Sequence, residues 1–188
     1  MKIVELKDLD HFKYNSVVTL GFFDGMHLGH QLIFNTLKNN ALKLGYKSVV
    51  ITFSDDVLEL FKMSDSITSL NDKLKIFEQL GIDYCLILSI KDNFMNLSAK
   101  EFINNYLEKL NCKVIACGSD FSFAKKKEGN INFIKENTDY EVILVDDVYI
   151  DDIKISSDYF QGKCMESADI GRRQQVQLLF QEKQVVLV

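Results

Sequence analysis

Proline is absent from all 188 residues. Against an average share of about 5%, this excludes Pro-rich linkers and cis-Pro turns. Cysteine is sparse: Cys85, Cys112, Cys117 and Cys164 form no Cys-x-x-Cys pair and have no histidine nearby. A structural zinc site is therefore disfavoured, and reduced core thiols in a cytoplasmic protein are expected. Long apolar runs are missing too. The most apolar stretches, residues 17–23 and 84–90, have strand length, far below the roughly 20 residues that span a bilayer. No apolar core follows Met1-Lys2-Ile3-Val4-Glu5, so no signal peptide and no membrane partner are expected. Basic excess is also lacking: 22 Lys and Arg stand against 27 Asp and Glu, a net charge of −5. Extended nucleic acids need a basic face and are excluded as partners, whereas small anions need only a few local donors. What is present, 47% hydrophobic and 26% charged residues, is the composition of a globular protein. A chain of this length buries roughly 70% of its unfolded surface and needs no metal or disulfide staple.

Strand-like and helix-like segments alternate. Residues 16–21 are β-rich. Residues 28–44 carry apolar side chains at Leu28, Leu32, Ile33, Leu37, Ala41 and Leu44, steps of three and four that predict an amphipathic helix closed by Gly45. Strands are expected at 47–53, 84–89, 113–118 and 141–145, with a further edge strand at 148–153. Helices are expected at 56–63, 70–80 and 130–136, and at 98–110 behind a capping box of Ser98 and Glu101. This order implies an α/β fold of Rossmann-like, doubly wound type, a mostly parallel sheet with helices on both faces. Ligands then bind on loops after strand ends, near the topological switch point. By composition those loops are 21–30, 52–56, 118–129 and 155–162.

The richest is Gly21-Phe22-Phe23-Asp24-Gly25-Met26-His27-Leu28-Gly29-His30. His27 and His30, two of the three histidines, are placed three apart on a helix's first turn and so share a face. Gly29 leaves the space between them open to a phosphate, and the helix N-terminus adds N–H groups and positive potential. No Gly-x-x-x-x-Gly-Lys-[Ser/Thr] and no Gly-x-Gly-x-x-Gly occurs, which argues against P-loop and dinucleotide-binding readings. Gly21, Gly25 and Gly29 copy the spacing of a membrane-helix dimer motif, but in a turn and outside any apolar 20-mer.

Gly-x-Phe-Asp-Gly-x-His-x-Gly-His-Gln, here Gly21 to Gln31, resembles the signature of the adenylyltransferase domain of bacterial bifunctional riboflavin kinase/FAD synthetase, in the His-x-Gly-His nucleotidyltransferase superfamily. The resemblance runs from about residue 1 to 165. Val50-Ile51-Thr52-Phe53 is similar to that family's Thr-Phe-x-Pro-His-Pro loop without the Pro-His-Pro part. Gly118-Ser119-Asp120-Phe121-Ser122-Phe123 resembles its flavin-side Gly-x-[Asp/Asn]-Phe-x-Phe-Gly, with Ala124 in place of the last Gly. Ile155-Ser156-Ser157 resembles the start of Ile-Ser-Ser-Thr-x-Ile-Arg, with Asp158, Phe160 and Gln161 replacing Thr, Ile and Arg. Gly171-Arg172-Arg173 looks like the opening of the kinase half. The expected organisation is thus a transferase domain over 1–168 and a tail over 169–188, with no riboflavin phosphorylation.

The resemblance implies the reaction FMN + ATP → FAD + pyrophosphate, with Mg²⁺ on the polyphosphate. His27 and His30 are then the catalytic pair, hydrogen-bonding ATP phosphates. Gly21, Phe23, Asp24, Gly25, Gly29, Ser156 and Ser157 hold the nucleotide, with Asp24 organising either the turn or the metal shell. Asp120, Phe121 and Phe123 line the flavin side. Other readings stand beside these. Phe121 and Phe123 also fit a core pair, Lys125–Lys127 a solvated basic loop, and Ser156-Ser157 a plain helix cap. A superfamily transferase with another phosphate acceptor is one alternative. A nucleotide- or flavin-binding protein without turnover is the other, and the lost Arg and the acidic Asp158 favour it.

Overall fold

Period-two alternation along four central strands sorts their side chains onto two faces of one sheet. The computed structural model describes residues 1–60, 68–147, 149–150 and 153–154. Its main sheet contains β1 (Lys2–Val4), β2 (Ser16–Leu20), β3 (Lys47–Phe53), β4 (Tyr84–Leu88), β5 (Cys112–Cys117) and β8 (Glu141–Leu144), in the order β1-β4-β3-β2-β5-β8. Every pairing within it is parallel. Parallel neighbours need crossovers, and helices supply them. These are α1 (Leu28–Leu44), α2 (Asp55–Leu60), α3 (Leu70–Gln79), α4 (Ala99–Phe102, continued by a π turn over Ile103–Leu107) and α5 (Ile131–Asn137).

Val17, Val50, Cys85, Val114 and Ala116 face Phe34, Leu37 and Ala41 of α1 and Phe77 of α3. Val18, Val49, Ile51, Leu86, Ile115 and Cys117 face the opposite way, toward Phe102, Ile103, Tyr106 and Leu107 around α4 and Ile134 of α5. Helices thus cover both faces, the doubly wound architecture expected. Each fully buried Leu or Phe in these layers contributes about 1.5–3 kcal/mol.

The chain adds β3 and β4 on one side of β2, then crosses to add β5 and β8 on the other. The switch point therefore lies between the C-terminal ends of β2 and β5. The loops after these two strands, 21–27 and 118–130, both open there.

Most expected elements lie where the sequence places them. Ser98 and Glu101 form the reciprocal capping box, and Gly45 closes α1 at φ 69°. The buried face of α1 differs from the apolar positions read from the sequence. Phe34, Leu37 and Ala41 are buried, while Leu44 is exposed, because the last turn of α1 meets solvent. The 148–153 segment is not one edge strand. Tyr149–Ile150 (β9) pairs antiparallel with Ile153–Lys154 (β10). The loop after β5 holds a second small hairpin, β6 (Ser122–Phe123) with β7 (Gly129–Asn130). Residues 61–63 of the expected 56–63 helix, the 155–162 loop and the tail lie outside the described residues. Among the described residues, no helix is long and apolar enough to cross a membrane.

Candidate active site

Backbone conformation shapes the first loop. Phe23 sits in the left-handed region (φ 52°), as do Gly25 (φ 68°) and Met26 (φ 41°). These turns fold Phe23 back over Gly21, where a Cβ would come 3.0 Å from the Phe23 ring. Gly21 is needed for that close approach, and Gly25 for its positive φ. Of the seven non-glycine residues at positive φ among those described, five (Phe23, Met26, Ala124, Lys126 and Lys127) belong to the two loops at the switch point. Such clustering of backbone strain marks functional loops.

His27 is the N-cap of α1. Its carbonyl accepts from Gln31 N at 3.1 Å, and its side chain makes no capping bond to the first-turn N–H groups. Gly29 and His30 follow on that turn. The two imidazoles stack, with centroids 3.6 Å apart and planes 27° off parallel. Behind them the Phe23 ring meets His30 edge-on at 5.3 Å and packs on Phe34 at 4.8 Å.

Asp24 is buried. Its carboxylate accepts from Thr68 N at 3.0 Å, while Gly25 N donates to the Thr68 hydroxyl at 3.2 Å. Of its two expected roles, organising the turn is the one these bonds express. They tie the first loop to the entry of α3, where Leu70 N donates to Asp55 at 3.1 Å. Lys73, on the first turn of α3, is fully buried. Sequence reading missed Lys73 because its helical spacing marks only the inner face of α3, where an apolar side chain is the rule.

From the other side, Gly118 packs near Ile33 of α1, and Asp120 is exposed and close enough to act electrostatically on His27. Ser119 donates to Asp147 at 2.9 Å, bracing this loop. Phe121 is half-buried, whereas Phe123 is core: it lies against Phe102 at 5.3 Å and directly over Gly129. Of the two rings, Phe121 retains exposed surface. Lys125–Lys127 are solvent-exposed. Ser156, Ser157, Asp158 and Gln161 lie outside the described residues.

Burial pushes the His27 imidazole down to about 4, with Asp120 and Asp24 opposing the shift. It pushes His30 down to about 2, reinforced by the neighbouring His27 and by the charge of Lys73. Both rings are therefore neutral near pH 7. Between about pH 4 and the ordinary histidine value of 6.5, the unfolded chain binds protons that the native state does not. Stability consequently falls as pH falls through that window. A double variant, His27→Asn with His30→Asn, is expected to show a shallower loss of urea stability between pH 6.5 and 4.5. An equal slope in variant and parent counts against the burial of these rings.

Ala124 holds φ 64°, ψ −178°, a region that is almost exclusively glycine's and costs of order 1–3 kcal/mol. Ala124→Gly should raise the stability by about 1 kcal/mol after glycine's own entropic penalty. A drop in the unfolding midpoint is the contrary result.

The FAD synthetase family pattern matches residues 9–159. The chain belongs to the FAD synthetase family. Bifunctional riboflavin kinase/FMN adenylyltransferase of Buchnera aphidicola from Schizaphis graminum is 36% identical over 88% of this chain and 55% of its own length. The enzyme of the same name from Bacillus subtilis is 32% identical over 82% and 51%. This FAD synthetase family chain thus spans about half the length of the curated relatives it matches. A solved structure described as a macrolide-efflux protein from Streptococcus pneumoniae is 28% identical, covers 85% of this chain and 54% of that one, and superposes with a TM-score of 0.70. Pantoate-beta-alanine ligase from Francisella tularensis, 14% identical, covers all of this chain and 82% of its own, with a TM-score of 0.56, a likeness of fold alone.

Proposed function

We propose that this chain transfers AMP from ATP, as its Mg²⁺ complex, to FMN, giving FAD and pyrophosphate. The observation that carries the reading is the stacked, neutral His27–His30 pair at the start of a 17-residue helix on the sheet's switch point, in a chain of this family. The FMN phosphate oxygen attacks the α-phosphorus of ATP in line. The new P–O bond forms as the bond to the β-phosphate bridging oxygen breaks, and pyrophosphate leaves. Such a transfer asks for positioning and charge stabilisation more than covalent help. His27 and His30 donate N–H bonds to the phosphates, and the N-terminus of α1 favours the added negative charge. Exposed Asp120, expected on the flavin side and within electrostatic reach of His27, would also be available to the Mg²⁺ of the complex, and Phe121 would offer a ring to the flavin.

We assign the transfer unit to residues 1–168, in keeping with the matched span, and the 169–188 segment to a tail. Buried, unpaired Cys85, Cys112 and Cys117 favour a reducing, cytoplasmic setting. The test is incubation with ATP, Mg²⁺ and FMN, with chromatographic detection of FAD and assay of pyrophosphate. Both products are expected, each requiring ATP and FMN together. FMN binding without either product would favour the binder reading that Asp158 and Gln161 suggest.

A further inference from the structure

His30 Nδ1, Thr52 Oγ1 and Lys73 Nζ are each enclosed without a hydrogen-bond partner among the described residues, and the fold brings all three to one place. Helices α1 and α3 return the chain between parallel strands, so both begin at the C-terminal edge of the sheet. Phe34 of α1 and Phe77 of α3 pack at 5.1 Å. His30 lies four residues before Phe34 and Lys73 four before Phe77, one turn nearer that edge on the same faces. The Phe23 ring touches His30, Phe34 and Phe77 together. On the sheet below, Val50 belongs to the same cluster. Thr52 is two residues further along β3 and so on the same side.

An ammonium buried without hydrogen bonds destabilises a fold. Lys73 is 0% exposed, and burial lowers its pKa, while the Asp24 and Asp55 carboxylates oppose the shift. A methionine would fill the same space at no such cost, which points to a use for the charge. Neutral imidazole has one donor and one acceptor nitrogen. For His30 Nε2 to donate to a phosphate, the enclosed Nδ1 must be the acceptor, and it then needs a donor. Lys73 is the buried donor whose charge reaches it.

We propose that Lys73 is a positioning residue of the transfer site, whose ammonium, buried behind the His-x-Gly-His turn and within electrostatic reach of Asp24 and His30, holds His30 in its Nε2–H tautomer. The inference rests on the adenylyl-transfer reading for its effect on rate. A small movement of the lysine side chain when nucleotide binds closes the Nζ–H···Nδ1 bond, with Thr52 Oγ1 available as a second acceptor. Asp24 keeps the charge balanced while the turn stays in place.

The test combines ring ¹⁵N–¹H spectra of histidine-labelled protein, recorded with Mg²⁺ and α,β-methylene-ATP, with steady-state FAD synthesis. The parent protein should show His30 as Nε2–H. Lys73→Met should move it toward Nδ1–H and lower kcat about 10- to 100-fold, less than loss of a direct donor, while KM for ATP changes by under about 3-fold. Lys73→Arg, which keeps charge and donors, should restore the Nε2–H form and part of kcat. If Lys73→Met does not fold, Lys73→Leu, which likewise offers no donor, is read in its place by the same two measurements. An unchanged tautomer in the Met or Leu variant overturns the proposal, with or without a fall in kcat, and so does an unchanged kcat. Should no preparation make FAD, the transfer reading fails, and the tautomer shift alone decides the role of Lys73.

Discussion

His27→Ala should lower kcat for the proposed FAD formation by ~10²–10³, the range for losing one preorganised donor to a charged transition state. The reason is geometric. His27 is 6% exposed and stacked on His30, so its ring is aimed before substrate arrives and needs no reorganisation as charge develops. Because the interaction tightens in the transition state, the loss should fall on kcat more than on KM for ATP. His30→Ala should behave alike. The double variant should lose less than the product of the two, since each ring holds the other in place. Steady-state FAD synthesis measures the effect, and urea unfolding confirms that the variants fold. Parental turnover in both single variants would remove the pair from the mechanism.

Phe23→Ala is expected to destabilise the fold by ~3–5 kcal/mol, as for other buried phenylalanines. Phe23 is 4% exposed and packs on Phe34 and Phe77 as well as His30. Removing its ring opens a cavity that the two helices, pinned to the sheet, fill poorly. Alanine also inherits a left-handed φ of 52° without relief. Loosened support under His30 should lower kcat of whatever fraction remains folded. The sequence reading made Phe23 a nucleotide contact. On that footing its loss would raise KM for ATP and leave the unfolding midpoint where it was, so chemical denaturation beside kinetics separates the two.

That contrast shows what a linear pattern conveys. The loop 21–30 was legible because its chemistry is local: glycines, one acid and two histidines at a helix start fit few other purposes. The division of labour within it was not. Whether Phe23 faces ligand or core depends on a reversal at its own backbone and on Phe77, more than fifty residues away. Lys73 was invisible for a related reason. Periodicity assigns a position to the inner face of a helix, but only packing shows that the ammonium there is fully buried. Five strands of the main sheet were read well because parallel, doubly covered strands are continuous apolar runs, whereas the three-residue edge strand β1 was too short to show one. The two-residue strands β6 and β7 were missed because so short a pair has no period, and the bend between them rests on Phe123 seated over Gly129.

The strand order makes one pairing in the sheet entropically more costly to close than the others. In the central sheet no two paired strands are joined by a hairpin, and the pair flanking the switch point joins Ser16 to Cys112 and Val17 to Val114. Ser16 also bonds Leu110 O through its hydroxyl at 2.7 Å. Closing that pairing means ordering a loop of nearly a hundred residues, an entropic step that local contacts cannot shorten. The β2–β3–β4 half can assemble first, with α1 and His27 already in position. The crevice has only one wall until β5 inserts beside β2. A chain emerging from the ribosome therefore carries its histidines early but acquires a two-sided site only after residue 117 is free to dock.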